Sequence, residues 1–155
     1  MKGTRWLWFA AWAICVASGC IAPDERRPGL WLPGEAAAPP SDWSFTDAHK
    51  EIALEVATPY LLAHSVTIWC VSVDGELFIG ARDPDDKNWP GWVGSKPDVR
   101  LGIDAKIYEG ALAELEDAET IRLLQNAYAA KYELPPRTSG EGPPMRYWRV
   151  DSREG

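Results

Sequence analysis

The sequence predicts a mainly β domain. Its strands are predominantly antiparallel, six in number, closed into a small barrel, with one main helix near the C-terminus. Three observations carry this. "VTIWCVSVDGELFIGA" places two β-rich runs around Asp74-Gly75. "DVRLGI" and its successor "KIYEGALAEL" read as two further adjacent strands. Only "DAETIRLLQNAYAAKYE" repeats its apolar residues at helical spacing over several turns.

The chain has 155 residues, enough for one domain with appendages. A formal net charge of −7 excludes nucleic acid as a partner, because phosphate binding needs a basic footprint. Two histidines without cysteine partners exclude a metal site of the usual kind. No serine–histidine–carboxylate spacing stands out, and no glycine-rich phosphate loop is present, so no catalytic residue emerges.

Residues 1–19 read as a signal. Lys2 and Arg5 precede an apolar run from Trp6 to Ala17, too short to span a bilayer comfortably. "ASGC" then resembles a bacterial lipobox, with small Ser18 and Gly19 before Cys20 and Ala17 where leucine is commoner. That resemblance implies cleavage before Cys20, acylation of its thiol and amine, and a place in the cell envelope. With Ile21 rather than Asp next, a Gram-negative host implies the outer membrane, facing the periplasm. An ordinary cleaved signal or a short membrane anchor is the alternative.

Residues 20–43 are rich in Pro, Gly and Ala without periodicity, and read as an extended tether. Trp31 and Leu32 are left to meet either the lipid surface or the domain. The domain is expected over 44–151. "FTDAHK" reads as a short helical turn capped at Thr46. "EIALEVAT" alternates, with Ile52, Leu54 and Val56 on one face, and Thr58-Pro59 ends it.

The next strands are Val66 to Val73 and Glu76 to Ala81, joined by a type I′ turn at Asp74-Gly75. Thr67, Trp69, Val71 and Val73 share one face; Val66, Ile68 and Cys70 share the other. Both faces are apolar, so the hairpin is central. Cys70 reads as a small buried hydrophobe and not as a reactive thiol. After the polar loop "RDPDDKN", "NWPGWVGSKP" carries two tryptophans on a segment in which Pro and Gly oppose a long helix. Val99, Leu101 and Ile103 point inward from the next strand. Asp104-Ala105 is a tight turn, and Gly110 marks a bend or bulge. In the helix, Asp117 is the N-cap, the buried stripe is Ile121, Leu124, Tyr128 and Tyr132, and Pro135-Pro136 stop it. "MRYWRVDSRE" is the last strand.

The hairpin "VTIWCVSVDGELFIGA", then "NWPGWVGSKPDVRLGIDAKIYEGALAELED", then "AAKYE" resemble the FMN-binding split-barrel superfamily over roughly residues 50–133. This superfamily includes pyridoxamine phosphate oxidase-like proteins and deazaflavin-dependent nitroreductases. The resemblance implies a split barrel, FMN or a related flavin for redox chemistry, and a homodimer with flavin at its interface. It also implies that the Trp89–Trp92 segment is a short helix or turn crossing one barrel end, where both rings act as wedges. The cofactor-binding residues it implies are Arg82, Lys87, Trp92 and Lys96, the three cations serving the flavin phosphate.

Two departures count against this. The turn between the first strands, "PYLLAHS", holds no Arg or Gly, and Gly80 stands where relatives often carry an Arg. Asp83, Asp85 and Asp86 also crowd the cationic loop. A cofactor-free barrel acting as a binding or envelope-structural module is therefore the alternative.

Overall fold

A computed structural model describes residues 31–135 and 142–153. The expected signal, Cys20, the first part of the tether and Pro136 lie outside the described residues. Eight strands and two helices are present among them: β1 Glu35–Ala37, β2 Ile52–Ala57, β3 Ala63–Ile68, β4 Cys70–Val73, β5 Glu76–Arg82, α1 Asn88–Ser95, β6 Asp98–Ile103, β7 Lys106–Glu114, α2 Ala118–Lys131 and β8 Met145–Ser152.

The strands form one sheet in the order β3-β2-β6-β7-β8-β5-β4, antiparallel throughout, with β1 added in parallel to β7. The two ends of that order, β3 and β4, are consecutive in the chain with only Trp69 between them. One continuous stretch thus belongs to both edges and closes the sheet into a barrel. This accounts for one of the two strands beyond the six expected. The run Val66–Val73 is not one hairpin arm. Its first half pairs with β2 (Ile52↔Ile68 to Ala57↔Ala63), and its second half pairs with β5 (Cys70↔Ile79 to Val73↔Glu76). Alternation alone does not reveal such a change of partner, since side chains on both sides of it are apolar.

The turns follow from backbone chemistry. Asp74 and Gly75 have φ of 53° and 81°, the pair of positive angles that a type I′ turn demands. Asp104 and Ala105 (49° and 62°) make the second tight turn, between β6 and β7. Gly110 lies where β7 changes neighbour from β6 to β8. A Cβ there would meet Asp151 O at 3.0 Å, so close approach of β8, and not a bulge, explains the glycine.

Two apolar cores result. The barrel interior holds Leu54, Val56, Cys70, Ile79, Leu101 and Trp148, among others. The opposite side of the hairpin, Val71 and Phe78, packs under Leu124 and Tyr128 of α2, with Ile121 and Tyr132 partly buried beside them. This is why both faces of the hairpin are apolar. Asp117 caps α2 by accepting from Thr120 N at 2.7 Å. The helix ends before the prolines. Glu133 turns left-handed (φ 53°) and Leu134 N donates back to Ala129 O at 3.0 Å, a Schellman-type stop.

Two readings near the N-terminus are corrected. Residues 31–43, expected in an extended tether, lie on the domain: Leu32 and Trp43 are buried, and β1 continues the free side of β7 beyond the end of β8. The segment lacks periodicity because its few anchors meet different parts of the sheet. Thr46 does not cap the following turn. It sits inside a 3-10 turn, Ser44–Ala48, with its hydroxyl donating to Trp43 O at 2.8 Å. "NWPGWVGS" forms the short helix that the resemblance implies, α1, in which Pro90 falls in the first turn and needs no intrahelical donor.

Candidate functional site

The change of partner at Trp69 opens a gap. Beyond Cys70↔Ile79 the chain leaves β5, so Thr67, Ile68 and Trp69 diverge from Gly80, Ala81 and Arg82. These six residues line a cavity of 530 Å³. Its remaining wall includes Trp89, Tyr128, Met145 and Tyr147, with Glu51, Lys87 and Gln125 as its further polar members. The volume lies within the ~300–1,000 Å³ of small-molecule sites, and an apolar wall with a few polar groups is what such sites share. Gly80 contributes by what it lacks. A Cβ there would press on the Tyr147 ring at 3.2 Å.

Breaking a ladder leaves backbone groups without partners, and α2 supplies them. Tyr132 Oη accepts from Cys70 N at 3.0 Å and lies 2.8 Å from both Lys50 O and Cys70 O. Tyr128 Oη donates toward Trp69 O (3.2 Å) and Phe78 O (3.4 Å). Lys131 Nζ donates to Cys70 O and Thr46 O at 2.8 and 3.0 Å. The helix thus splints the open seam. Burial pushes both tyrosine hydroxyls above their ordinary pKa, so both remain protonated donors. Burial likewise raises the Cys70 thiol, with nearby Lys131 opposing it in part. The fully buried thiol is inert filling, as its sequence context suggests. Trp69 stacks flat on Tyr132, with centroids 4.3 Å apart and planes at 8°, while staying 41% exposed at the cavity.

The four predicted cofactor residues are not brought together. Arg82 and Lys87 line the seam cavity. Arg82 pairs with Asp83 at 3.3 Å, and the Lys87 ammonium donates to Arg82 O. Lys96 lines a different cavity of 420 Å³, bounded also by Glu55, Leu61 and Arg100, and its ammonium donates to Thr58 O at 3.3 Å. Trp92 lines neither; its ring meets Tyr60 and His64 edge-on. Trp89 is the deeper wedge, buried against Trp148 at 5.0 Å. The separation arises because α1 places two turns of helix between Lys87 and Lys96.

Sequence reasoning also missed Arg146. It sits opposite Ala81 in the β5–β8 register and engages Asp85 at 2.9 Å. With Asp83 held by Arg82, two of the three acids expected to repel an anion are paired. The alternating "MRYWRV" was the available signal, but only the register shows which loop Arg146 faces.

An antiparallel barrel closed through a single kinked strand, with a helix over the seam, is a split barrel. No family model matches the chain, and no curated protein matches it. Solved structures do match. A putative pyridoxamine 5′-phosphate oxidase from Listeria innocua has 13% identity and a TM-score of 0.53, over 70% of this chain and 87% of that one. A conserved hypothetical protein from Mycobacterium tuberculosis has 14% identity and a TM-score of 0.56, over 76% and 86%. An FAD-binding protein from Mesorhizobium loti has 14% identity and a TM-score of 0.51, over 70% and 82%. The chain therefore has the split-barrel fold of pyridoxamine phosphate oxidase-like and flavin-binding proteins, the fold its sequence resembles.

Proposed function

We propose that this protein binds FMN or a related flavin in the seam cavity, as a lipid-anchored protein of the cell envelope. One observation carries the flavin reading: a cavity of ligand size opens where Trp69 leaves β5, with aromatic rings along its wall and two cations, Arg82 and Lys87, among its lining. A flavin presents a flat ring system and an anionic phosphate, and this lining matches both in kind. Similarity in fold to an FAD-binding protein supports the reading as analogy. A bound flavin would supply electron transfer. Of the chain's own groups, Arg82 and Lys87 would hold the phosphate, Trp69 would offer its ring, and Tyr132 would fix that ring from behind.

Titration of FMN into the full chain, followed by flavin fluorescence, tests this. Two charge-assisted contacts of about 1.5–3 kcal/mol each make a double Arg82→Ala, Lys87→Ala variant bind roughly a hundred- to ten-thousand-fold more weakly. Lys96→Ala leaves affinity unchanged, because Lys96 lines the other cavity. Binding weakens as salt rises, since Arg82 is exposed. No binding at high micromolar FMN rejects the flavin and leaves a cofactor-free barrel. The anchor is tested separately, by the intact mass of protein taken from membranes: an acylated N-terminal Cys20 supports it, and an unmodified Cys20 rejects it. A homodimer, which the resemblance implies, is tested by sedimentation velocity.

A further inference from the structure

The turn between β2 and β3 carries Tyr60, Leu61 and Leu62, exposed to 59%, 89% and 63%. Scattered exposed apolar residues are ordinary; three in succession at one tip are not. The turn is a built feature. Thr58 Oγ1 donates to Leu62 O at 2.6 Å and accepts from Leu62 N at 3.2 Å. Leu61 is held at φ 65°, a left-handed conformation that costs a non-glycine residue about 1–2 kcal/mol. Trp92 backs Tyr60 edge-on.

A second element shares this face. Trp31, 66% exposed, lines the same cavity as Leu61 and Leu62. It is held there by the Arg100 guanidinium, 4.0 Å from its ring centroid, and Arg100 is fixed by buried Glu55 at 3.0 Å. The charged residues lining this cavity balance in number, Lys96, Arg100 and Arg153 against Glu55, Asp98 and Glu109, and Arg153 pairs with Asp98 at 2.8 Å. The patch therefore has no strong charge of either sign.

A third observation says what covers it. Trp31 is where the described chain starts, and thirty residues precede it, with the apolar run Trp6 to Ala17 among them. Only residues 21–30 separate Cys20 from Trp31, a span of at most about 40 Å when fully extended. Whatever holds the N-terminal segment therefore lies within reach of the face that carries Trp31, Leu61 and Leu62.

We infer that the Tyr60–Leu62 turn and Trp31 insert into the lipid surface that holds the N-terminus, docking the barrel on the bilayer. This rests on the membrane-anchored reading proposed above. Trp and Tyr favour the headgroup level and leucines the acyl region just beneath it, which is the composition of this patch. Insertion is apolar in origin, so it does not require anionic lipid, which an acidic protein would in any case avoid.

The test uses the full chain in its membrane, with benzoylphenylalanine incorporated at position 61 and, as a control, at position 123, another exposed leucine, on α2. After illumination, intact mass identifies the adduct. A phospholipid adduct at 61 and none at 123 supports docking. Leu62→Asp, in the same background, keeps the protein in the membrane fraction and lowers the adduct at 61 by about tenfold or more. No adduct at 61 in membrane-bound protein overturns docking while the anchor stands. A protein–protein adduct at 61 assigns the patch to a second copy and overturns it also. Protein released from the membrane overturns the anchor and the docking together.

Discussion

Tyr132→Phe isolates one hydroxyl at the point where the barrel strand changes partner. The ring is retained, so the stack on Trp69 stays in place. What is lost is the acceptor for Cys70 N, at 3.0 Å, in a residue with no solvent exposure. Cys70 O keeps a donor in Lys131 at 2.8 Å, and Lys50 O, which also loses the hydroxyl, belongs to an exposed residue, so the one buried group left without its partner is the Cys70 N–H. Leaving such a group unsatisfied costs about 1–3 kcal/mol. For a domain of this size, each kcal/mol moves the melting temperature by roughly 3–6 °C. The expected loss is therefore about 3–18 °C, read by circular dichroism. Tyr60→Phe is the control: it removes a hydroxyl from an exposed ring, and its effect is expected within about 0.5 kcal/mol. A Tyr132→Phe melting temperature within 1 °C of the parent would refute the argument that α2 satisfies the broken ladder.

Gly75→Val forces a β-branched residue to φ 81° and should destabilise by about 1–3 kcal/mol in urea unfolding. Glu55→Ala leaves the Arg100 guanidinium and Leu32 N without their carboxylate. A loss of about 3–5 kcal/mol is expected, with faster proteolysis within residues 31–43, while Glu55→Gln loses less. His64 is held below its ordinary pKa by partial burial, with its ring edge-on to Trp92. The unfolded chain then binds a proton at this site before the folded one does. Stability therefore declines as pH falls through about 6.5 and stops declining on this account once the lower folded value is passed. His64→Gln should flatten that part of the profile, measured as the urea midpoint at pH 7.5 and 5.5.

The strongest elements were legible because their signals are local. Asp74-Gly75 dictates its turn by backbone angle, and Asp117 caps its helix through a single bond to Thr120. Ile52, Leu54, Val56, Val99, Leu101 and Ile103 face the core at strand period, as alternation requires. What was not legible depends on distant partners. The transfer of Val66–Val73 from β2 to β5 leaves no mark on its composition. β1 and Leu32 are fixed by Ala105 O and Glu55, far along the chain. The site suffered for the same reason. Arg82 and Lys87 lie close in sequence and share a cavity, whereas Lys96, which the resemblance places with them at one barrel end, is carried to another cavity by the helix between.

The place of β8 has a consequence for how the protein is made. This strand, the last in the described order, lies between β7 and β5, so it alone bridges the two parts of the sheet on that side. Until residue 152 has left the ribosome, β5 and β7 each carry an unpaired edge, and the seam is the only link between the halves. Such a sheet cannot form cooperatively while the chain is still growing, because its central pairings are also among its longest in sequence, Phe78 with Arg149 for instance. At roughly 5–20 residues per second, synthesis gives the N-terminal segment several seconds outside the ribosome before folding competes for the chain. The membrane delivery proposed above for the first residues would gain that interval from strand order alone.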